Sequence, residues 1–256
     1  MPFLVLKSKQ IIFSIIAVLV CVLLAMNSTG TASAAVFFGY APKKVPIYCV
    51  STETKQVAIS FDAAWGADKT DDIMVTLKEF NAGATFFLVG FWADKYGEKV
   101  KSIADNGFEI GTHSNTHPDM TKISDAQKLL ELEESIKIIE ANSGKKVELF
   151  RAPYGAYNNS LLKVAEDLSL KTIQWDVDSL DWKGLSAENI ANRVVSNAKN
   201  GSIILCHNNA DNIVKALPII LDRLIKKGFS ITSVGNLLIK TDYSVDRTGM
   251  QFKKSA

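Results

Sequence analysis

From Gln56 onward, short apolar runs rich in β-branched residues alternate with longer segments that carry apolar residues at helical spacing. The short runs are typical of buried strands, and the longer period is typical of amphipathic helices. The predicted strands are QVAISF, TFFLV, FEIGTH, VELF, KTIQW, SIILCH and FSITSV. The predicted helices are Thr70 to Asn81, Trp92 to Asn106, Ser124 to Asn142, Asn159 to Leu168, Ser186 to Lys199 and Asp211 to Lys227. About seven such units predict a parallel sheet covered by helices, closed into a (β/α) barrel with fewer than the usual eight units.

The helix from Ser124 has the clearest boundaries. Ser124 and Gln127 form a capping-box pair, and Gly144 is placed to end the helix. Its apolar face is predicted to consist of Ala126, Leu129, Ile136 and Ile139.

The N-terminus is predicted to be a secretory signal. Lys7 and Lys9 precede an apolar run from Ile11 to Met26, and small residues follow as far as Ala34. This order is typical of a signal cleaved after Ala34. The run is shorter than the roughly 20 residues of a spanning helix, which favours a cleaved signal over a permanent anchor. Either would take the rest of the chain out of the cytoplasm.

Four segments follow from these patterns. Residues 1–34 are the signal, residues 35–55 a lead-in segment, residues 56–239 one domain, and residues 240–256 a polar tail that we expect to be loosely held. The net charge of +2 is far from the basic excess of a nucleic-acid binder, so no nucleic-acid partner is expected. We expect a monomer that would meet a membrane only through an uncleaved N-terminal segment.

Polar side chains stand where the predicted strands end. Asp62 ends the first strand and His113 follows the third; the next three strands are followed by Arg151, by Asp181 and by His207. The carboxyl ends of barrel strands meet at one rim, where folds of this class keep their active sites. The sequence therefore predicts one site that contains all of these residues.

His113 and His117 are spaced four residues apart in HSNTH, which can aim both imidazoles at one ion. The spacing alone is a modest signal, because two loop histidines can equally hydrogen-bond to backbone or water. The convergence of other polar residues at the same rim favours a metal site.

Two further pairs are expected at this rim. Arg151 beside Asp62 would keep the carboxylate ionised and fix its orientation. Asp181 could raise the pKa of His207 and make it a proton donor, whereas His207 alone would be interpreted as a core histidine bonded to a carbonyl. Trp182 is either a core aromatic or a wall for a sugar ring.

Five motifs occur in order between Gln56 and Leu238: SFDAAWG, HSNTH, RAPYG, DSLDW and LCH. Together they resemble the polysaccharide deacetylase family, the family 4 carbohydrate esterases with a NodB-homology domain. The alanine-rich first motif is most similar to the sporulation-type branch. The resemblance implies a deformed (β/α) barrel of about seven parallel strands. It also implies an exported, metal-dependent hydrolase that removes N-acetyl groups from amino sugars of a cell-wall or spore-wall polysaccharide, such as peptidoglycan or a chitin-like polymer.

Carried over residue by residue, the resemblance implies a metal site and a base. Asp62 matches the general base and Arg151 matches its partner. His113 and His117 match the ligands of a divalent metal, with zinc as the expected ion.

The same resemblance implies roles for the residues around the substrate. Tyr154 matches the residue whose backbone N–H helps to hold the oxyanion. His207 matches the general acid, and Asp181 matches the residue that tunes it. Leu205 and Trp182 match the pocket for the acetyl methyl group.

One position departs from the family pattern. The family's first motif usually has two adjacent aspartates, and the second, a metal ligand, is Ala63 here. A catalytic zinc site normally has three protein ligands. Another carboxylate, of which Asp68 is the nearest in sequence, could replace the missing one; water could complete a weak site; or the domain could have lost catalysis and kept a sugar-binding cleft.

Three functions thus stay open. The first is an exported polysaccharide N-deacetylase, the second a non-catalytic or weakly active glycan-binding wall protein on the same scaffold, and the third an O-acetyl esterase. Retention of Asp62 and His207 together favours the first, since a cleft that only binds sugar has no evident need for a base and an acid.

Overall fold

The computed structural model describes residues 8–28 and 43–254, and the chain divides into two compact units, Met1–Lys43 and Lys44–Ala256. In the first unit the described residues form helix α1 (Ser8–Ser28), which contains the apolar run of the predicted signal. The predicted cleavage point after Ala34 lies outside the described residues. Across residues 8–28 and 43–254, no helix combines the length and apolar character needed to cross a membrane.

The second unit alternates strands and helices in the order that the sequence pattern predicts. Its strands are β1 (Cys49–Val50), β2 (Gln56–Ala63), β3 (Thr85–Leu88), β4 (Glu109–Thr112), β5 (Leu149–Phe150), β6 (Lys171–Thr172), β7 (Val177–Asp178), β8 (Ile203–His207), β9 (Ser230–Thr232), β10 (Tyr243–Val245) and β11 (Met250–Lys253). Its helices are α2 (Thr70–Glu79), α3 (Gly90–Lys95), α4 (Gly97–Asp105), α5 (Asp125–Ser143), α6 (Asn159–Asp167), α7 (Ala187–Asn197), α8 (Ile213–Lys226) and α9 (Val234–Leu237). Short 3₁₀ turns span Pro153–Gly155 and Asp181–Lys183.

Seven parallel strands form a curled sheet in the order β6-β5-β4-β3-β2-β8-β7, and β9 pairs in parallel with the start of β2. This confirms the predicted deformed (β/α) barrel. Strand β2 lies between β3 and β8 and pairs with both. Asp62 is in register with Phe87 on β3 and with His207 on β8. The register therefore brings the ends of β2 and β8 together at one rim.

The pleat of β2 separates two hydrophobic clusters. Val57, Ile59, Phe61 and Ala63 belong to the larger cluster, which includes the buried faces of the helices. Ala58 belongs to a smaller cluster with Phe87, on the other face of the strand. Because side chains alternate along a strand, Asp62 shares the face of Ala58, and Ala63 shares the face of Phe61.

The segment predicted as one helix from Trp92 to Asn106 forms two helices instead. Helices α3 and α4 meet at Tyr96, whose backbone lies outside the helical region at φ −119° and ψ 44°. Gly97 follows at once, and glycine weakens the continuity of a helix because its backbone loses more freedom on folding. The ring of Tyr96 packs on that of Trp92, with a distance of 5.3 Å between the ring centroids.

Helix α5 has the predicted ends but only half of the predicted apolar face: Ile139 is buried and Ile136 packs against the larger cluster. Ser124 and Gln127 form the capping box, and Gly144 closes the helix in the left-handed conformation. Ala126 and Leu129 are exposed. The buried positions are Lys128, Leu132, Ser135, Ile139 and Ser143. The hydrophobic pattern misleads here because polar members of the buried face have partners across the interface: Lys128 Nζ donates to Ser160 Oγ at 2.7 Å, and the hydroxyls of Ser135 and Thr112 lie 2.5 Å apart.

The polar tail is not loosely held over residues 243–253. Strands β10 and β11 pair with each other, and β11 pairs with β1 of the lead-in segment. The lead-in segment also hydrogen-bonds to two separate parts of the domain. Ile47 N–H donates to Thr172 O on β6 at 3.0 Å, and Val50 N–H donates to Gly201 O, just before β8, at 2.9 Å. The boundaries at residues 56 and 239 remain predictions.

Candidate active site

A cavity of about 560 Å³ opens where the carboxyl ends of the strands meet. This size is in the usual range for small-ligand sites. Of the residues predicted for the site, those that line the cavity are Asp62, His113, His117, Tyr154, Trp182, Leu205 and His207. Arg151 and Asp181 are almost fully buried and contact members of this lining from behind. The structure thus brings together the groups that the sequence places at separate strand ends.

Asp62 is held by a buried arginine. Arg151 Nη1 donates to Asp62 Oδ1 at 2.7 Å, and its Nη2 donates to Gln174 O at 3.1 Å. The guanidinium also stacks on Phe87, with its carbon 4.1 Å from the ring centroid. Burial raises the pKa of Asp62, but the positive charge of Arg151 and its hydrogen bond outweigh burial and hold that pKa below its ordinary value. The carboxylate is therefore ionised at neutral pH, with Oδ2 turned away from Arg151.

His113 and His117 point their Nε2 atoms at each other across 3.2 Å. His113 Nδ1 lies 2.8 Å from Arg151 O, so it carries the proton and donates to that carbonyl, which leaves Nε2 with a lone pair. Asp62 Oδ2 lies 3.5 Å from His113 Nε2. Burial lowers the pKa of His113, and burial beside His113 lowers the pKa of His117 to about 4. Both rings are neutral at pH 7, the state that a metal ligand needs.

The loop that carries His117 is anchored by Glu131 on helix α5, a residue that the sequence analysis did not single out. The backbone N–H groups of Asn115 and Thr116 both donate to Glu131 Oε2 at 2.8 Å. Ser114 and His117 adopt the left-handed conformation, with φ of 67° and 60°. Such strained residues persist where the surrounding structure fixes them, and they cluster at functional sites.

His207 forms an ion pair with buried Asp181. His207 Nδ1 lies 2.7 Å from Asp181 Oδ1, and the backbone N–H of His207 donates to Asp181 Oδ2 at 2.8 Å. Burial lowers the pKa of His207, but the hydrogen bond and charge of Asp181 outweigh it and raise that pKa above its ordinary value. Because Nδ1 is bonded to Asp181, Nε2 is the ring nitrogen left for the cavity, and the raised pKa favours the protonated form of the ring.

Tyr154, Leu205 and Trp182 complete the rim. Tyr154 is 69% exposed and left-handed, with φ 60° and ψ 8°, an unusual conformation for an aromatic residue. Leu205 is buried on β8, and Trp182 is 59% exposed on the turn after β7. These three residues thus give the cavity wall one buried aliphatic side chain and two aromatic rings that are open to solvent.

Among the described residues, the only carboxylate within 4 Å of a ring nitrogen of either histidine is that of Asp62, the proposed base, and no further one takes the place of the missing ligand. Ala63 packs in the larger hydrophobic cluster, and Ala64 rather than Ala63 lines the cavity. The side chain of Asp68, the predicted substitute, is 72% exposed and does not line the cavity. Within the described ranges, no group of three His, Cys, Asp or Glu side chains is arranged to hold a metal ion.

The histidine pair by itself fits one ion. Two Zn–N bonds of about 2.0 to 2.1 Å at a tetrahedral angle separate the nitrogens by about 3.3 Å. The two Nε2 atoms lie 3.2 Å apart, and the carbonyl of Arg151 orients His113 in the way that a backbone acceptor orients many metal-bound histidines. His113 and His117 can thus supply two ligands, and the remaining positions would fall to water or substrate.

Trp65 is a second residue of the site that the sequence analysis did not assign. It lines the cavity, is 57% exposed, and contacts the ring of His117 at a centroid distance of 5.2 Å. His117 in turn contacts Tyr154 at 4.7 Å. The sequence does show a tryptophan within the motif SFDAAWG, but whether its side chain is exposed depends on the conformation of the loop.

Comparison with known proteins gives a consistent picture. The family model described as "Polysaccharide deacetylase" matches residues 50–173. A peptidoglycan-N-acetylglucosamine deacetylase of Bacillus cereus is 33% identical over 205 residues, which cover 78% of this chain and 93% of the relative. A second protein of that description from Bacillus cereus is 35% identical over 170 residues, 66% of this chain and 62% of the relative. The chain spans 40 to 62% of the length of three of the curated relatives that it matches.

The fold has close structural counterparts as well. A pseudoenzyme of the CE4 family from Bacillus anthracis superimposes with a TM-score of 0.74 at 30% sequence identity. The match covers 80% of this chain and 73% of that structure. Similarity of this degree therefore extends both to proteins described as deacetylases and to one described as a pseudoenzyme.

Proposed function

Because this chain belongs to the polysaccharide deacetylase family, we propose that it removes N-acetyl groups from amino sugars of a cell-wall or spore-wall polysaccharide. The observation that carries the proposal is a base and an acid in register on neighbouring strands. Asp62 and His207 are paired positions of β2 and β8; buried Arg151 lowers the pKa of Asp62, and buried Asp181 raises that of His207. A general acid and a general base need pKa values that favour opposite protonation states at the same pH, and the two pKa values are shifted in those directions.

The chain's own residues divide the work of amide hydrolysis as follows. Asp62 accepts the proton of the attacking water through Oδ2, since Oδ1 is bound by Arg151. The backbone N–H of Tyr154 donates to the oxyanion that forms on the acetyl carbonyl. His207 then donates its proton to the departing amine, which is too basic to leave as an anion. Leu205 and Trp182 hold the acetyl methyl group in the apolar part of the cavity.

His113 and His117 would hold a divalent metal, with zinc as the proposed ion. When bound, such an ion would polarise the acetyl carbonyl and lower the pKa of water. With only two protein ligands, we expect weaker binding than at a zinc site with three. The N-terminal segment would export the protein, and we propose that it acts as a monomer outside the cytoplasm.

A metal titration tests this part of the proposal. We expect the purified chain to bind about one zinc ion and His113→Ala to lose that binding, because a single imidazole cannot hold the ion. Acetate release should fall when the ion is removed and return when it is restored. Asp68→Asn is the matched control and should bind zinc as the wild type does, since Asp68 lies outside the cavity. Unchanged zinc affinity of His113→Ala would contradict the assignment.

The pH dependence of catalysis should report the pairing of His207 with Asp181. In Asp181→Asn the charge that raises the pKa of His207 is gone while burial, which lowers it, remains. The pKa of His207 therefore falls, and the alkaline limb of kcat/KM moves to lower pH. Asp178→Asn, which lines the same cavity without bonding to His207, should shift this limb less. Equal profiles for wild type and Asp181→Asn would remove His207 from the role of general acid.

A second candidate is a glycan-binding wall protein without catalysis. It is favoured by the absence of a third ligand beside the two histidines within residues 8–28 and 43–254, and by a structural relative described as a pseudoenzyme. Acetate release decides between the two candidates. The protein is incubated in parallel with N-acetylated peptidoglycan strands, chitin oligomers and O-acetylated xylan. We expect it to release acetate from the first two substrates. Acetate from xylan alone would indicate an O-acetyl esterase, and binding without acetate would indicate the non-catalytic protein.

A further inference from the structure

Trp65 is an exposed aromatic residue on a loop that is otherwise fixed. The residues on either side of its turn, Ala64 and Ala67, are 7% and 8% exposed, whereas Trp65 is 57% exposed. The indole lines the same cavity as the proposed base and acid.

The loop is pinned at Gly66 by two buried donors. Trp92 Nε1 donates to Gly66 O at 2.6 Å, and Asn208 Nδ2 donates to the same oxygen at 3.0 Å. Both donor residues have no solvent exposure. Gly66 itself has φ 63°, which favours glycine, and Lys69 Nζ donates to Asn209 O at 3.0 Å at the end of the loop. The backbone that carries the indole is therefore fixed before a ligand arrives, which lowers the entropic cost of binding.

Trp65 and Trp182 enter the cavity from different strands. Trp65 follows β2 and contacts His117, whereas Trp182 follows β7 beyond β8, the strand that carries His207. Trp65 is thus the exposed tryptophan beside the proposed metal ligands, and Trp182, which follows Asp181 in the chain, is the one beside the proposed general acid. A pyranose ring presents C–H groups on its faces and hydroxyls at its edge, so it can cover an indole while its hydroxyls stay in water.

The geometry points to Trp65 as a sugar-binding residue that holds a different ring of the glycan chain from the one whose acetyl group lies against Trp182. This inference rests on the proposed function, because the ligand is taken to be an N-acetylated glycan. Its consequence is that the cavity binds an oligomer more tightly than a single sugar. The ring that is stacked on Trp65 is a neighbour of the reacting sugar, so Trp65 acts as a substrate-positioning residue.

The test compares affinities for the tetramer of β-1,4-linked N-acetylglucosamine and for the single sugar, measured calorimetrically with the metal chelated so that no turnover occurs. We expect Trp65→Ala to weaken tetramer binding by about tenfold or more and to leave single-sugar binding within about twofold. Trp65→Phe, which keeps an aromatic face, should recover part of the tetramer affinity. Phe252→Ala removes an aromatic residue that is 37% exposed on β11 and does not line the cavity, and it should bind as the wild type does.

Zinc stoichiometry is measured on the same variants, because Trp65 also touches His117. Unchanged stoichiometry with lost tetramer affinity supports a contact with the glycan. Tetramer affinity that is unaffected by Trp65→Ala, equal losses for tetramer and single sugar, or no binding of the tetramer by the wild type would each overturn the inference.

The outcomes separate this inference from the proposed function. If the wild type releases acetate and Trp65→Ala binds the tetramer normally, the inference alone fails. If the wild type binds the tetramer, loses that binding in Trp65→Ala and releases no acetate, the inference holds for the glycan-binding candidate and the deacetylase proposal fails.

Discussion

Replacing Asp62 with asparagine is expected to reduce acetate release by about 10²- to 10⁴-fold, the usual contribution of a general base. The asparagine side chain is nearly isosteric with aspartate and can still accept the hydrogen bond from Arg151, but an amide cannot take a proton from water at neutral pH. The effect should appear in kcat, measured on N-acetylated oligomers. The change removes only the proton acceptor, so glycan binding should be retained.

Asp178→Asn is the matched control for this experiment. Asp178 lines the same cavity and carries the same charge, but its Oδ1 accepts the N–H of Leu180 and is engaged in holding a turn. We expect a far smaller loss of activity. Activity of Asp62→Asn close to that of the wild type would refute the assignment of the base, whatever the metal content.

Arg151→Met is expected to lower the free energy of unfolding by about 3 to 5 kcal/mol, because it leaves the buried carboxylate of Asp62 without its partner. Methionine fills similar volume, so the loss reflects mainly the unpaired charge. Urea unfolding at neutral pH measures it. Arg247→Met, at an exposed position of the turn between β10 and β11, is the control and should change stability by no more than about 0.5 kcal/mol.

The pH dependence of this loss has a definite sign. In the wild type the pKa of Asp62 lies below its ordinary value, so its ionised form adds stability above the unfolded-state pKa of about 3.9, and this contribution is lost as the pH falls through the native pKa. Without Arg151, burial raises the pKa of Asp62 and favours the protonated form. The stability difference between wild type and variant should therefore shrink as the pH is lowered from neutral.

A double-mutant cycle measures the coupling between the two residues. Asp62→Asn with Arg151→Met removes both charges, so the double variant should be less destabilised than the sum of the single variants. Additive losses would show that the pair is not coupled and that Arg151 stabilises the fold through Gln174 and Phe87 instead.

The site illustrates where prediction from sequence ends. Asp62, His113, Arg151, Asp181 and His207 could be placed at one rim because each follows a recognisable strand, and parallel strands deliver their carboxyl ends to the same edge. The residues that support the site could not be found in this way. Glu131 anchors the histidine loop from the middle of a helix, 15 or 16 residues away, and nothing in the local pattern distinguishes it from a surface glutamate.

The chain's local patterns determined the fold class, the helix caps at Ser124 and Gly144, and the strand ends that carry the site, because periodicity, capping and turn chemistry act over a few neighbouring residues. Contacts between distant segments decided the rest. Packing in the larger hydrophobic cluster placed Ala63 in the core, and two buried donors hold the Gly66 carbonyl of the loop that leaves Trp65 exposed in the cavity. Beyond the end of a strand, the direction of a side chain depends on hydrogen bonds to residues that are distant in the sequence, and only the folded chain brings those residues close enough.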